Sequence, residues 1–142
     1  MEANIKWTEN MSFSGISVSG QEIKMDASVE VGGNNSGARP MELLLYGLAG
    51  CTGIDIVSIL NKMRLNFTSF EMNVKGDRAE DHPKRYTHIH IHYEFEGEEL
   101  PEHKIVRAIQ LSKDKYCSVT HSLNAEITAS YSINGVNNEK SI

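Results

Sequence analysis

The hydrophobic and polar positions along this chain change period several times, and each change predicts an element. Short runs come first, Ile5 to Thr8, Phe13 to Val18 and Glu22 to Val31, punctuated by Asn10, Gly15 and Gly20. They predict strands joined by turns, a β-meander. Gly32 to Gly37 (GGNNSG) is a loop by composition, and Pro40 suits the first turn of a helix, where its missing N–H costs nothing. From Met41 to about Met63 the pattern supports roughly six helical turns. The first half is apolar around its whole circumference, which predicts a buried helix. Gly47, Gly50 and Gly53 recur there every third residue, each costing roughly 1 kcal/mol of helix propensity relative to alanine. Close approach of another backbone or a ligand is the expected compensation, and Cys51 lies inside this bare patch.

Beyond the helix, Phe67 to Lys75 alternates, with Phe70, Met72 and Val74 on one face. Tyr86 to Glu96 alternates more strictly, with Ile89, Ile91, Tyr93 and Phe95 opposite His88, His90, His92 and Glu94. Both runs predict half-buried strands of a hairpin, joined by a polar connector containing Pro83. Pro101 opens a second predicted helix to about Tyr116, Cys117 to Leu123 reads as another turn or two, and Ala125 to Ile133 is a last strand. Val136 to Ile142 reads as a frayed tail, and there is no internal repeat.

At 142 residues the chain fits one domain: N-terminal strands and loop over 1–38, the central helix over 40–63, strands and helices over 66–135, and the tail over 136–142. Its 39% hydrophobic and 23% charged residues are those of a globular protein. The formal net charge of -5, without clustered Lys and Arg, argues against nucleic acid as a partner. Met1 to Phe13 lacks the charged-then-apolar layout of a secretory signal. The nearly apolar run Met41 to Ile54 is shorter than the roughly 20 residues that cross a bilayer. The expectation is a cytoplasmic protein with no membrane partner.

In that setting the two cysteines, Cys51 and Cys117, would be reduced, and they are either redox-active or two small buried thiols. The reactive form is the thiolate. Cys51 stands about three turns inside its helix, too deep for the helix N-terminus to activate it. Cys117 has Lys113, Lys115 and His121 nearby, so local chemistry predicts it to be the more acidic.

The stretch Arg39-Pro-Met-Glu-Leu-Leu-Leu-Tyr-Gly-Leu-Ala-Gly-Cys51, with Lys115-Tyr-Cys117-Ser-Val-Thr-His-Ser-Leu downstream, resembles the OsmC/Ohr superfamily of osmotically inducible and organic-hydroperoxide-resistance proteins. The likeness covers nearly the whole chain. It implies an α+β fold built as an intertwined homodimer, with a β-meander, a long cysteine-bearing helix, antiparallel strands and a second helix. It also implies sites at the subunit interface. Carried over, Cys51 would attack an organic hydroperoxide and become a sulfenic acid. Cys117 would resolve it to a disulfide, and an external thiol or dithiol would restore both. The peroxidase members compared carry a glutamate directly after the helix-opening proline, where this chain has Met41 and then Glu42. They also place an arginine after the first strand, whereas Asn10 to Gly15 contains no basic residue. Arg39, paired with Glu42, is the expected replacement. Leu44, Tyr46 and Leu48 would wall an apolar pocket favouring organic peroxides. This reading needs no cofactor and assigns no metal.

The alternative is a non-catalytic dimer of the same fold that binds a small apolar ligand or senses oxidation. A weaker third reading places a metal on His88, His90 and His92, which share a strand face. The outer two stand roughly 13 Å apart, so at most two neighbours would cooperate. The Gly32 to Gly37 loop lacks the Lys-Ser/Thr ending of a phosphate loop, no nucleophile-elbow motif is present, and Glu98, Glu99 and Glu102 read as a solvated helix start.

Overall fold

The computed structural model describes residues 2–138 and 142. Where the sequence predicts one domain, contacts group the chain into two compact units, Met1–Leu44 and Leu45–Ile142. The reason lies in the core: among the described residues, its buried apolar side chains all fall between Leu48 and Tyr131.

The first unit is the expected meander. Strands β1 (Ile5–Glu9), β2 (Ser12–Ile16) and β3 (Glu22–Met25) form an antiparallel sheet in chain order. The predicted third strand stops early, and Val29–Val31 is a single 3-10 turn. The cause is Asp26, a buried carboxylate that accepts hydrogen bonds from the backbone N–H groups of Ala27, Asn34 and Ser36 at 2.8, 2.9 and 3.0 Å. The Ser36 hydroxyl adds a fourth at 2.8 Å. These bonds, the Ser36 amide first, hold the acid well below the usual carboxylate range. The amides of the glycine-rich loop that would cradle a phosphate therefore already hold a carboxylate. Gly33 is required there, because a Cβ would stand 2.0 Å from the Ala27 carbonyl oxygen.

Helix α1 (Pro40–Lys62) starts and stops by side-chain and backbone caps. The Glu42 carboxylate accepts the Arg39 N–H at 2.8 Å, which is half of a capping box with Pro40 in the first helical position. At the other end Arg64 takes a left-handed conformation (φ 54), with Leu65 N–H bonded to Leu60 O and Arg64 N–H to Asn61 O. This is the pairing of a Schellman cap, completed without glycine. At 23 residues, with a mean hydropathy of 1.9 over its most apolar stretch, α1 is long and apolar enough to cross a membrane by length and composition. Only 28% of that stretch is buried. The helix keeps its predicted bounds to within one residue, but it is much less covered than its all-round apolar pattern predicts.

The second unit continues with β4 (Ser69–Arg78), β5 (Tyr86–Glu96), α2 (Glu102–Leu111), α3 (Ser118–Ser122), β6 (Glu126–Ile133) and β7 (Val136–Asn138). Strands β4 and β5 pair antiparallel, but β6 lies parallel to β5, with His88 opposite Glu126 and Phe95 opposite Ile133. A parallel neighbour needs a crossover, here supplied by the helical segment between β5 and β6. Part of the predicted tail is strand: β7 pairs with β6 across the Asn134-Gly135 turn, and residues 139–141 lie outside the described residues. Ile89, Ile91, Tyr93 and Phe95 of β5 are all buried, as are Leu48, Ile56 and Leu60 of α1 and Ile105, Ala108 and Ile109 of α2. Phe70 stacks on Phe95 at 4.5 Å between centroids.

Asp26→Ala should loosen the Asn34–Ser36 loop, seen as faster hydrogen exchange at those two amides and a lower melting temperature. In the wild-type protein the stabilisation by ionised Asp26 is fully present above the ordinary aspartate value of 3.8 and is lost as pH falls from there through the lower folded value. An acid denaturation curve should therefore separate wild type from Asp26→Ala above that window and converge below it.

Candidate functional site

Cys51 projects from the interior of α1 and is half-buried. Asp55 follows four residues later, on the same helix face. Cys117 arrives from another element. The predicted second helix does not run on uniformly to Tyr116; α2 ends at Leu111 and continues as a five-residue π-helical turn, Ser112–Tyr116. That wider turn closes with the Cys117 N–H on Ser112 O at 2.8 Å, and such insertions often mark functional sites. Cys117 is fully buried, and its sulfur accepts the Thr120 N–H at 3.5 Å, capping α3. Both cysteines are free thiols. Cys51 Sγ, Cys117 Sγ and an Asp55 carboxylate oxygen all lie within 4.8 Å of one another.

A buried hydroxyl chain fixes this geometry. Thr52 Oγ1 stands 2.9 Å from Tyr93 Oη and 2.9 Å from Ser112 Oγ, and Ser112 Oγ donates to Asp55 Oδ2 at 3.2 Å. The chain ties α1 to the centre of β5 and to the start of the π-helical turn. Burial pushes the Tyr93 phenol up to about 12, although its bond to Thr52 acts the other way. The phenol therefore remains a neutral hydrogen-bonding partner. Among the described residues no buried side-chain polar atom lacks a partner, so the chain has no slack.

Burial pushes the Cys117 thiol up; the contacts with Thr120 pull the other way, and the neighbouring Cys51 thiol adds to the rise. This corrects the expectation that Cys117 is the more acidic on its basic neighbours. Lys113 Nζ donates to the Ile142 carbonyl at 2.5 Å, Lys115 sits 5.4 Å from the centre of the Tyr116 ring, and His121 is exposed. Proximity in sequence did not become proximity of charge to sulfur.

Arg39 and Glu42 are linked, but not as an ion pair of side chains. Glu42 takes the Arg39 backbone N–H, while the Arg39 guanidinium donates to Gly37 O at 3.1 Å, Asp26 O at 3.3 Å and the Asn35 side chain. These bonds set the loop and the helix start. Leu48 is fully buried whereas Tyr46 is exposed, so the two do not wall one pocket. Among the described residues, Gly53 alone of the three regularly spaced glycines is closely approached: a Cβ there would stand 2.6 Å from Met72 Cε. Gly50 and Gly53, with Ile54, Val57, Phe70 and Met72, line an open apolar groove of about 720 Å³. A smaller cleft of about 350 Å³ opens beside Asp55, lined by Ile59, Met63, Leu111 and Tyr116 among others.

The histidine row is a hydrogen-bonded ladder. Thr128 Oγ1 lies 3.0 Å from His88 Nε2 and 2.9 Å from His90 Nδ1, and Ser130 Oγ lies 2.8 Å from His90 Nε2 and 2.7 Å from His92 Nδ1. Burial, then His88, His92 and Lys75, push the His90 imidazole below its ordinary value. Glu102 is exposed in the first turn of α2, as expected, and in addition accepts the Tyr131 hydroxyl at 2.5 Å.

Asp55, Thr52, Tyr93 and Ser112 did not figure as site residues in the sequence. Asp55 had a legible signal, its i+4 spacing from Cys51. The other three did not, since their meeting depends on the packing of α1, β5 and the π-helical turn.

The chain belongs to the OsmC-like protein family, whose sequence model matches residues 33–132. Protein YhfA of Escherichia coli K12 is 39% identical over 138 residues, covering 94% of this chain and 98% of that one. A hypothetical protein from Aquifex aeolicus VF5 has 32% identity and a TM-score of 0.77, over 93% of this chain and 96% of that chain. An organic hydroperoxide resistance protein OsmC from Legionella pneumophila shares the fold, with a TM-score of 0.69 at 15% identity over 93% and 97% of the two chains.

Thr52→Val keeps the shape of the side chain and removes the hub of the hydroxyl chain. It should lower stability by about 1–3 kcal/mol, the usual cost of leaving buried partners unsatisfied, measured by urea denaturation.

Proposed function

We propose that this protein reduces organic hydroperoxides with its cysteine pair and works as a homodimer. The observation that carries the reading is the approach of the Cys51 and Cys117 sulfurs to within 4.8 Å, with Cys51 half-buried and Cys117 buried. The Cys51 thiolate attacks the terminal oxygen of the hydroperoxide, the O–O bond breaks, and the alkoxide takes up a proton and leaves as alcohol. Cys51 becomes a sulfenic acid. The Cys117 sulfur then displaces its hydroxyl group, a disulfide forms, and the thiol proton leaves with that group as water. An external thiol or dithiol supplies two electrons and two protons to restore both cysteines, which suits a reducing compartment such as the cytoplasm. The two burials fit the two roles: the attacking sulfur has to meet a substrate, while the resolving sulfur has to meet only Cys51. In this proposal Arg39 and Glu42 act by fixing the start of the helix that bears Cys51.

Homodimer formation is supported by uncovered apolar surface. Ile54 of α1 is 73% exposed beside the groove at Gly50 and Gly53, and in the meander Trp7 is 64% exposed, with Ile5, Ile16, Val18 and Ile23 also exposed. Uncovered apolar side chains of this kind, in each unit taken by itself, mark an interaction site. The same groove favours the second reading, in which a small apolar ligand occupies it and the cysteines do not turn over.

Reduced wild-type protein mixed with cumene hydroperoxide should consume it and form the Cys51–Cys117 disulfide, followed by mass spectrometry. Cys51→Ser should abolish consumption. Cys117→Ser should retain the first turnover and then stall, with Cys51 as sulfenic acid. Consumption by Cys51→Ser at the wild-type rate would reject the assignment.

Ile54→Glu places a charge on the exposed apolar face, and light scattering coupled to size exclusion should show a dimer for wild type and a monomer for the variant. A wild-type monomer that instead brightens an apolar fluorescent probe would favour the ligand-binding reading.

A further inference from the structure

We propose that, in the reduced protein, Cys51, Cys117 and Asp55 form a binding site for a thiophilic divalent cation such as Zn2+. The inference needs only thiols and a carboxylate, so it holds whether or not the protein reduces peroxides. Two sulfurs and one carboxylate oxygen make a donor set that Zn2+ prefers to the hard cations. Two of the donors, Cys51 and Asp55, stand one turn apart on the same face of α1. The third comes from outside that helix, brought by the π-helical turn, so the three donors converge from two elements. All three donor atoms lie within 4.8 Å of one another. Zn–S bonds of roughly 2.3 Å in a tetrahedron put two sulfurs roughly 3.8 Å apart. Closing that gap takes a shift of about 1 Å at most, well within side-chain adjustment.

The surroundings supply what ligating groups require. Ser112 Oγ donates to Asp55 Oδ2 at 3.2 Å and orients the carboxylate, and the Thr120 N–H points at the Cys117 sulfur at 3.5 Å. Asp55 itself lines an open cleft, and with three protein donors the fourth position falls to water. Binding releases the thiol protons to solvent. A bound cation occupies both sulfurs, so metal loading and disulfide formation exclude each other. The histidine ladder differs: its nitrogens are spread along a strand and engaged by Thr128 and Ser130.

The test is an anaerobic titration of the fully reduced, full-length protein with Co2+, followed by displacement with Zn2+ in competition with a chromophoric chelator. The expected result is a thiolate-to-cobalt charge-transfer band, with tetrahedral d–d bands, saturating at one metal per chain. Cys51→Ser should lose most of the charge-transfer intensity, and Asp55→Asn should weaken Zn2+ binding by about ten- to a hundredfold. Wild type oxidised to the disulfide should show no band, a control that needs no variant to fold. Absence of the band in reduced wild type overturns the proposal. So does equal binding by the oxidised protein, which would place the metal elsewhere, or unchanged affinity in Asp55→Asn, which would remove the third donor.

Discussion

The geometry of the thiol site rests on the buried chain of hydroxyls that runs from Tyr93 through Thr52 and Ser112 to Asp55. Each of these groups is costly to bury alone, and each is satisfied only when α1, β5 and the π-helical turn stand in one arrangement. Apolar packing around Ile56, Ile89 and Ile109 brings these elements together, but apolar contacts tolerate small slides. Directional bonds do not. Since Thr52 follows Cys51 in sequence and Ser112 accepts the Cys117 N–H through its carbonyl, the same chain sets the relation between the two sulfurs. The π-helical turn belongs to this constraint: it places Cys117 at the cap of α3 instead of carrying it onward along α2.

The two sulfurs differ by environment, not by their neighbours in sequence. Cys117 is buried, and its ionisation is opposed by that burial; Cys51 is only half-buried. The division suits an attacking and a resolving thiol. It equally suits a cation held between two thiolates and a carboxylate. Both uses draw on the same short separation, and a disulfide and a bound metal are alternative ways to satisfy it.

Family membership and the uncovered surface of α1 bear on each other. A 23-residue helix this apolar, with 28% of its most apolar stretch buried, exposes surface that water disfavours. Among the described residues, none stands close enough to Gly47 or Gly50 to explain a missing side chain. Surface and glycines both find a reason if a second chain lies against that face, as the homodimer proposal holds. By contrast, the start of the helix is fully explained within the chain, by Glu42 on the Arg39 amide and by the bonds that Arg39 makes to its own loop.

The sequence by itself determined the elements whose signals are local. The alternation of Tyr86 to Glu96 marked β5 to the residue, Pro40 marked the start of α1, and the stretches around Cys51 and Cys117 pointed to the family. It also singled out both cysteines, because a chain with two thiols and that helix pattern offers few other nucleophiles. Tertiary structure alone decided the rest. The pairing of β6 parallel to β5, the end of β3 at Asp26, and the meeting of Thr52 with Tyr93 and Ser112 all join residues distant in the chain. The acidity of Cys117 went the same way. Its basic neighbours are a local feature, but a pKa is set by burial and by which charges face the sulfur, and those are properties of the packed chain.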